Sequence, residues 1–244
     1  MTTILITGAT SGIGEALAKL AAKAGHQVIA CGRNEEKLAE LASIDGIETC
    51  RFDVTNTEEI EQALKDLDCD IAVLNAGTCE YVDVNNIETE MFKRVFDANV
   101  FGVVNVVSAL LPKMKGGGKI VFVDSLARLL PFPRSQAYGA SKAALNYIAK
   151  SFEVDLAHKG IDVQTLSPGF VKTPLTDKND FPMPMVITAE AAAEYMLEGI
   201  FKSRSSVYFP RRFSFLVRML NMLPEVIQKK ICIGMRQKPR NSRN

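Results

Sequence analysis

Three residues in the middle of the chain have the types and spacing to move a proton on or off a carbonyl oxygen: Ser125, Tyr138 and Lys142. Tyr138 and Lys142 stand four apart in a run, 137–158, that reads as one helix. At that spacing both side chains leave the same face, one turn apart. A free tyrosine gives up its proton only near pH ~10, and a neighbouring ammonium stabilises the phenolate and draws that value toward the working range. Ser125 closes the buried-strand pattern Lys119-Ile-Val-Phe-Val-Asp-Ser. In an open α/β sheet, strand ends are where ligands sit. Alone the trio proves little, because tyrosine and lysine at i, i+4 are common on solvated helix faces. The surrounding elements decide.

At 244 residues, 47% hydrophobic and 23% charged, the chain is long enough for one large α/β domain with a substantial core. Its net charge of +1 suggests no nucleic-acid partner. That average hides an asymmetry. From Lys202 onward there are eleven Lys/Arg against one acid, Glu225, leaving 18 basic and 27 acidic residues before it. The five cysteines include no Cys-x-x-Cys pair, which fits a reducing cytoplasm and argues against disulfides. With only two histidines, far apart, no metal site is expected. No secretory signal is visible, and no apolar run approaches the ~18 residues of a spanning helix.

Ile4 to Thr7 reads as a β-branched strand, followed at once by Gly8-Ala-Thr-Ser11-Gly12-Ile13-Gly14 and a helix over 15–24 that stops at Gly25. Strand, glycine turn and helix make a phosphate cradle, in which the backbone comes close and the helix's positive end faces the anion. A second strand, 27–31, ends at Gly32-Arg33-Asn34. An acid there would bind an adenosine ribose hydroxyl, whereas Arg33 suits a 2′-phosphate and Asn34 a helix cap. NADP(H) is therefore preferred, with NAD(H) the alternative. Further strands are expected at 47–52, 70–74, 119–123, 162–166 and 207–209, and helices at 58–67, 88–111, 137–158 and 188–201. This alternation predicts a doubly wound parallel sheet of about seven strands with helices on both faces, one domain over 1–210. Residues 211–244 form a basic amphipathic extension.

The motifs come in a recognisable order: Thr7-Gly8-x-x-x-Gly12-x-Gly14, Asp53-Val54, Asn75-Ala76-Gly77, Asn99, Ser125, Tyr138-x-x-x-Lys142 and Pro168-Gly169-x-Val171-x-Thr173. From Thr3 to Thr173, and more loosely to Phe209, the chain resembles the short-chain dehydrogenase/reductase superfamily of the single-domain type, with its Rossmann fold. The resemblance implies that Tyr138 is the catalytic acid/base and that Ser125 polarises the substrate oxygen. Lys142 would hold the nicotinamide ribose and lower the tyrosine pKa, and Asn99 would anchor a water linking Lys142 to solvent. Asp53 and Val54 would contact adenine, Asn75 to Gly77 would lie against the adenosine side, with Asn75 bracing strands, and the Pro168–Thr173 turn would bind the nicotinamide amide and pyrophosphate. Pairing of the helices at 88–111 and 137–158 across subunits would give a homodimer or homotetramer.

The segment 174–187, with Phe181, Met183, Met185 and Ile187, reads as an adaptable apolar lid, and Leu126, Leu129, Leu130 and Phe132 lean the same way. In the tail, Ser214, Arg218, Asn221, Glu225 and Gln228/Lys229 mark a narrow polar stripe on an otherwise apolar helix, with Pro224 kinking or restarting it. It could wall its own pocket, dock a partner subunit or lie on an anionic membrane surface; 237–244 reads as disordered. The leading reading is an NADP(H)-dependent oxidoreductase acting on a lipophilic carbonyl or secondary alcohol. The alternatives are a non-catalytic NADP(H)-sensing or scaffolding protein, and a membrane-associated lipid-pathway ketoreductase.

Overall fold

Seven strands form the frame: β1 (Thr3–Thr7), β2 (Gln27–Gly32), β3 (Ile47–Arg51), β4 (Ile71–Leu74), β5 (Lys119–Val123), β6 (Asp162–Pro168) and β7 (Ser206–Phe209). All pair in parallel, in the spatial order 3-2-1-4-5-6-7. This computed structural model describes residues 1–114, 116–177, 179 and 181–236, so the stretch 237–244, read above as disordered, lies outside the described residues. Strand order reverses between β1 and β4, which opens a crevice at their C-terminal ends.

The central strands are buried on both faces, and alternation along β1 shows how the layers divide. Ile4 and Ile6 face one core with Leu17, Ala18 and Ala21 of α1 (Gly12–Lys23) and Met196 and Ile200 of α7 (Ala189–Ile200). Leu5 faces the other, with Ile60, Val106, Val107, Phe122 and Leu145. Three helices cover that second face: α3 (Thr57–Leu64), α5 (Gly102–Leu110) and α6 (Gln136–Leu156). Continuous Val/Ile/Leu runs follow from this two-sided burial. The doubly wound reading holds. Helix α2 (Glu35–Ala42) starts at Asn34, whose side chain accepts from the Lys37 amide at 3.0 Å.

One expectation changes. The single helix at 88–111 is α4 (Thr89–Phe96), a π-helical turn at Asp97–Phe101, then α5. The turn adds a residue without breaking the apolar period, so periodicity alone does not reveal it. The tail is two helices, α8 (Arg211–Asn221) and α9 (Glu225–Gly234), with Pro224 before the second. It packs on its own body: Phe213, Val217 and Cys232 are buried with Leu126 and Leu130 from the loop after β5. Ser214 is buried, donating to the Arg211 carbonyl at 2.9 Å, whereas Arg218, Asn221, Glu225 and Lys229 of the same polar stripe are exposed. Other residues of the tail face outward.

Candidate active site

Strand β5 delivers Asp124 and Ser125 to the sheet edge, and α6 delivers Tyr138 and Lys142. Ser125 has extended backbone and accepts from the Ala127 amide at 3.1 Å, capping the short helix at Leu126–Arg128. Lys142 is buried. Its Nζ donates to the Val123 carbonyl at 2.9 Å and lies 6.0 Å from the Tyr138 ring centroid. Serine, phenol and ammonium thus meet at one strand end, as the spacing implies.

Electrostatics refine the roles. Burial pushes the Tyr138 phenol well above its ordinary value, the nearby Cys79 adds to this, a hydrogen bond with Ser125 works the other way, and Asp124 adds a further upward push. Burial also pulls Lys142 down to about 8, against the attraction of Asp124 and Cys79. With only protein groups around it, the phenol keeps its proton at neutral pH. The acidified phenol that the Tyr–Lys spacing suggests does not appear here, because burial disfavours the phenolate. Asp124 is itself buried, bonded at 2.6 Å to Arg128 Nε and at 2.8 Å to Asn146 Nδ2.

Asn99 sits in the π-helical turn, fully buried. Its Oδ1 accepts from the Thr78 amide at 2.7 Å, and its Nδ2 donates to the Thr78 carbonyl and to Ser141 Oγ, both at 2.9 Å. Ser141 in turn donates to the Tyr138 carbonyl at 2.8 Å. All of the amide's bonds are thus structural, tying the loop after β4 to α6. A methyl group at Gly77 would come within 2.8 Å of Asn99 Oδ1 and 3.4 Å of Lys142 Nζ, so a bare backbone is needed there.

The cradle is built at the β1/β4 reversal. Gly8 and Gly12 have φ of +67° and +56°, in the left-handed region, and a methyl at Gly14 would lie 2.2 Å from the Gly8 carbonyl. Ser11 precedes α1 without capping it through its side chain, leaving the positive helix end to face the crevice beside Ile13. Thr7 Oγ1 accepts from the amides of Asn75 and Ala76, each at 3.0 Å, and Asn75 Nδ2 donates to the Thr7 carbonyl at 3.1 Å. Asn75 thus braces β1 against β4. These features fit a dinucleotide's pyrophosphate.

At the adenosine end, Arg33 Nη1 donates to Asp53 Oδ2 at 2.8 Å. Burial of the Asp53 carboxyl opposes ionisation, yet bonds from the Thr55 amide, Arg33 and the Thr55 hydroxyl hold it below its ordinary value. Val54 packs on the backbone of Gly102, behind these two.

A profile of the short chain dehydrogenase family matches residues 2–182. The chain belongs to this family. A Myxococcus xanthus (strain DK1622) protein described as an uncharacterized oxidoreductase is 36% identical over 234 residues, spanning 91% of this chain and 92% of its own. A solved structure described as a short chain dehydrogenase/reductase family protein superposes with a TM-score of 0.74 at 30% identity, covering 85% of this chain and 94% of that one. A short chain dehydrogenase from Burkholderia cenocepacia J2315, solved in complex with NADP, gives 0.85 at 23% identity, covering 94% and 97%, a likeness of fold. The protein is an oxidoreductase of this family.

The remaining candidate residues follow the end of β6. Pro168 ends β6, and Gly169 donates to the Phe209 carbonyl at 2.8 Å. Val171 is buried and bridges to Ile187, and Thr173 approaches Gly12, so the lid's first residues return to the glycine turn. Phe181 meets the edge of Tyr81 at 5.3 Å between centroids, Phe170 lies 6.2 Å beyond, and Phe213 of α8 stands 5.4 Å from Phe170. These rings connect lid, turn and tail. Sequence reasoning passed over Thr7 as a brace, and Ser141, Cys79 and Tyr81 altogether. Cys79 stands two residues beyond Asn75-Ala76-Gly77, and that proximity is the signal that could have found it.

Proposed function

We propose that the chain is an NADP(H)-dependent reductase, reversible as a dehydrogenase, for a lipophilic carbonyl or secondary alcohol. The observation that carries this reading is the gathering of Ser125, Tyr138 and Lys142 at the end of β5 beside an intact glycine cradle. The bound nucleotide supplies or accepts the hydride. Ser125 orients the substrate oxygen, and Tyr138 gives it a proton in reduction or takes one in oxidation. Lys142 holds the ribose, and Gly8 to Gly14 with the Pro168–Thr173 turn hold the phosphates and the nicotinamide amide.

Arg33 supports the preference for NADP(H), being exposed and held by one surface ion pair that a 2′-phosphate can replace. The NADP complex of the Burkholderia structure agrees with it. The rings of Tyr81, Phe170 and Phe181 near the crevice support an apolar substrate. Phe101, Tyr147 and Val154, exposed on the helical faces that would pair, support a homodimer or homotetramer, and the free cysteines support a cytoplasmic setting. The test is a screen of hydrophobic ketones, acyl-chain carbonyls and their alcohols, following NADPH absorbance. Turnover with one substrate class sustains the proposal. Tight NADPH binding without turnover across the whole panel would instead point to a cofactor sensor.

A further inference from the structure

Helix α8 carries two apolar stripes where a surface helix needs one. Phe213, Val217 and Leu220, at i, i+4 and i+7, face the body. Phe215, Met219 and Met222 repeat the same spacing on the opposite side and are 67%, 48% and 78% exposed. The pattern continues in α9, where Val226 and Ile233 are exposed with Lys230 between them at helical spacing, while Cys232 faces inward. Arg211, Arg212 and Lys229 are exposed on the same two helices.

We infer that the outer face of α8 and α9 is a docking surface for an anionic lipid bilayer, with Phe215, Met219, Met222, Val226 and Ile233 entering the headgroup region and the basic residues meeting lipid phosphates. Charge complementarity selects this occupant. The first 201 residues carry 18 basic and 27 acidic side chains, whereas the remainder carries eleven and one. A symmetric contact between two copies through this face would set one basic surface against another. An anionic bilayer satisfies the charge and the apolar stripe together. No helix among the described residues is long and apolar enough to cross a membrane, so the contact lies in the interface plane. The inner stripe keeps α8 against the catalytic body while the outer one is occupied, so docking and turnover are compatible.

The experiment is flotation of the full chain with vesicles of phosphatidylcholine alone or phosphatidylcholine containing phosphatidylglycerol. The chain should float with the mixed vesicles only, and less at high salt. The pair Phe215→Ser/Met219→Ser, at exposed positions, and the pair Arg211→Glu/Arg212→Glu should each weaken binding by tenfold or more in order of magnitude, with unchanged thermal melting. Failure of the parent chain to bind mixed vesicles would overturn the inference, as would binding that the Phe215/Met219 pair leaves intact. A stable oligomer in sedimentation velocity that the same pair dissolves would assign the face to a second copy and overturn it as well.

Discussion

Arg33 and Asp53 join the ends of two neighbouring strands: Nη1 of the arginine, just past β2, lies 2.8 Å from Oδ2 of the aspartate, just past β3. The pair is weak in energetic terms, because the arginine side chain is 74% exposed. It holds a cation where the adenosine ribose is expected and releases it at little cost. Arg33→Asp should shift the NADPH/NADH preference toward NADH by roughly 10- to 100-fold, the worth of about 1.5–3 kcal/mol for a hydrogen-bonded charge. Steady-state kcat/KM with both nucleotides checks this, and an unchanged ratio would remove Arg33 from the 2′-phosphate site.

Lys142 sets a pH signature. Its folded pKa of about 8 and the raised phenol of Tyr138 predict that kcat/KM for reduction is flat below pH 7 and falls as pH rises past about 8. The phenol keeps its proton through that window, so the fall reports the lysine losing its charge. A profile flat to pH 10 would contradict the assignment.

Stability carries the same signature with a defined sign. Between about pH 8 and 10.5 the unfolded state binds the lysine proton and the folded state does not, so Lys142 favours folding more as pH rises through that range. At neutral pH its buried charge costs stability. Lys142→Met should therefore stabilise the fold by about 1–3 kcal/mol at pH 7 while abolishing turnover, with the gain shrinking toward pH 10. Denaturant titrations at the two pH values check it.

Asn99 works through other residues, and its loss should show in stability first. Asn99→Ala leaves the Thr78 amide and carbonyl and Ser141 Oγ without their partner and should cost about 2–4 kcal/mol. Because Ser141 also bonds the turn of α6 that bears Tyr138, kcat should fall more than KM rises. Thermal melts and steady-state kinetics on one preparation separate the two effects.

The tail's inner stripe gives a fifth test. A methyl at Gly169 would meet the Phe213 ring at 2.7 Å, so α8 seats directly on the turn proposed to hold the nicotinamide amide. Phe213→Ala should destabilise by about 3 kcal/mol through the cavity it leaves and raise KM for substrate. A mutant with parent-like melting and KM would show that α8 does not support the pocket.

Much of this site was legible because its chemistry depends on local spacing. Gly8, Gly12 and Gly14 follow a β-branched strand, and Tyr138 and Lys142 are one helical turn apart, so residue order alone placed them. Arg33 with Asp53 was not legible as a pair, since twenty residues and a strand crossover separate them. Asn99 was placed in a continuous helix because a π turn leaves the apolar period intact. Ser214 misled, since a hydroxyl satisfied by the carbonyl three residues earlier can be buried, so it leaves the otherwise exposed polar stripe and packs inward while Phe215 stays outside. The upward push on Tyr138 also lay beyond the sequence, because only the fold shows the phenol's burial and the nearness of Cys79 and Asp124.

The central claim, that Tyr138 moves the proton, is tested most directly by single-turnover reduction with Tyr138→Phe, alongside an NADPH titration of the same variant. The account predicts nucleotide affinity near that of the parent and a hydride-transfer rate lower by roughly 10²–10⁴-fold, the range of positioned acid catalysis. A variant that binds NADPH and reduces substrate at close to the parent rate would contradict it.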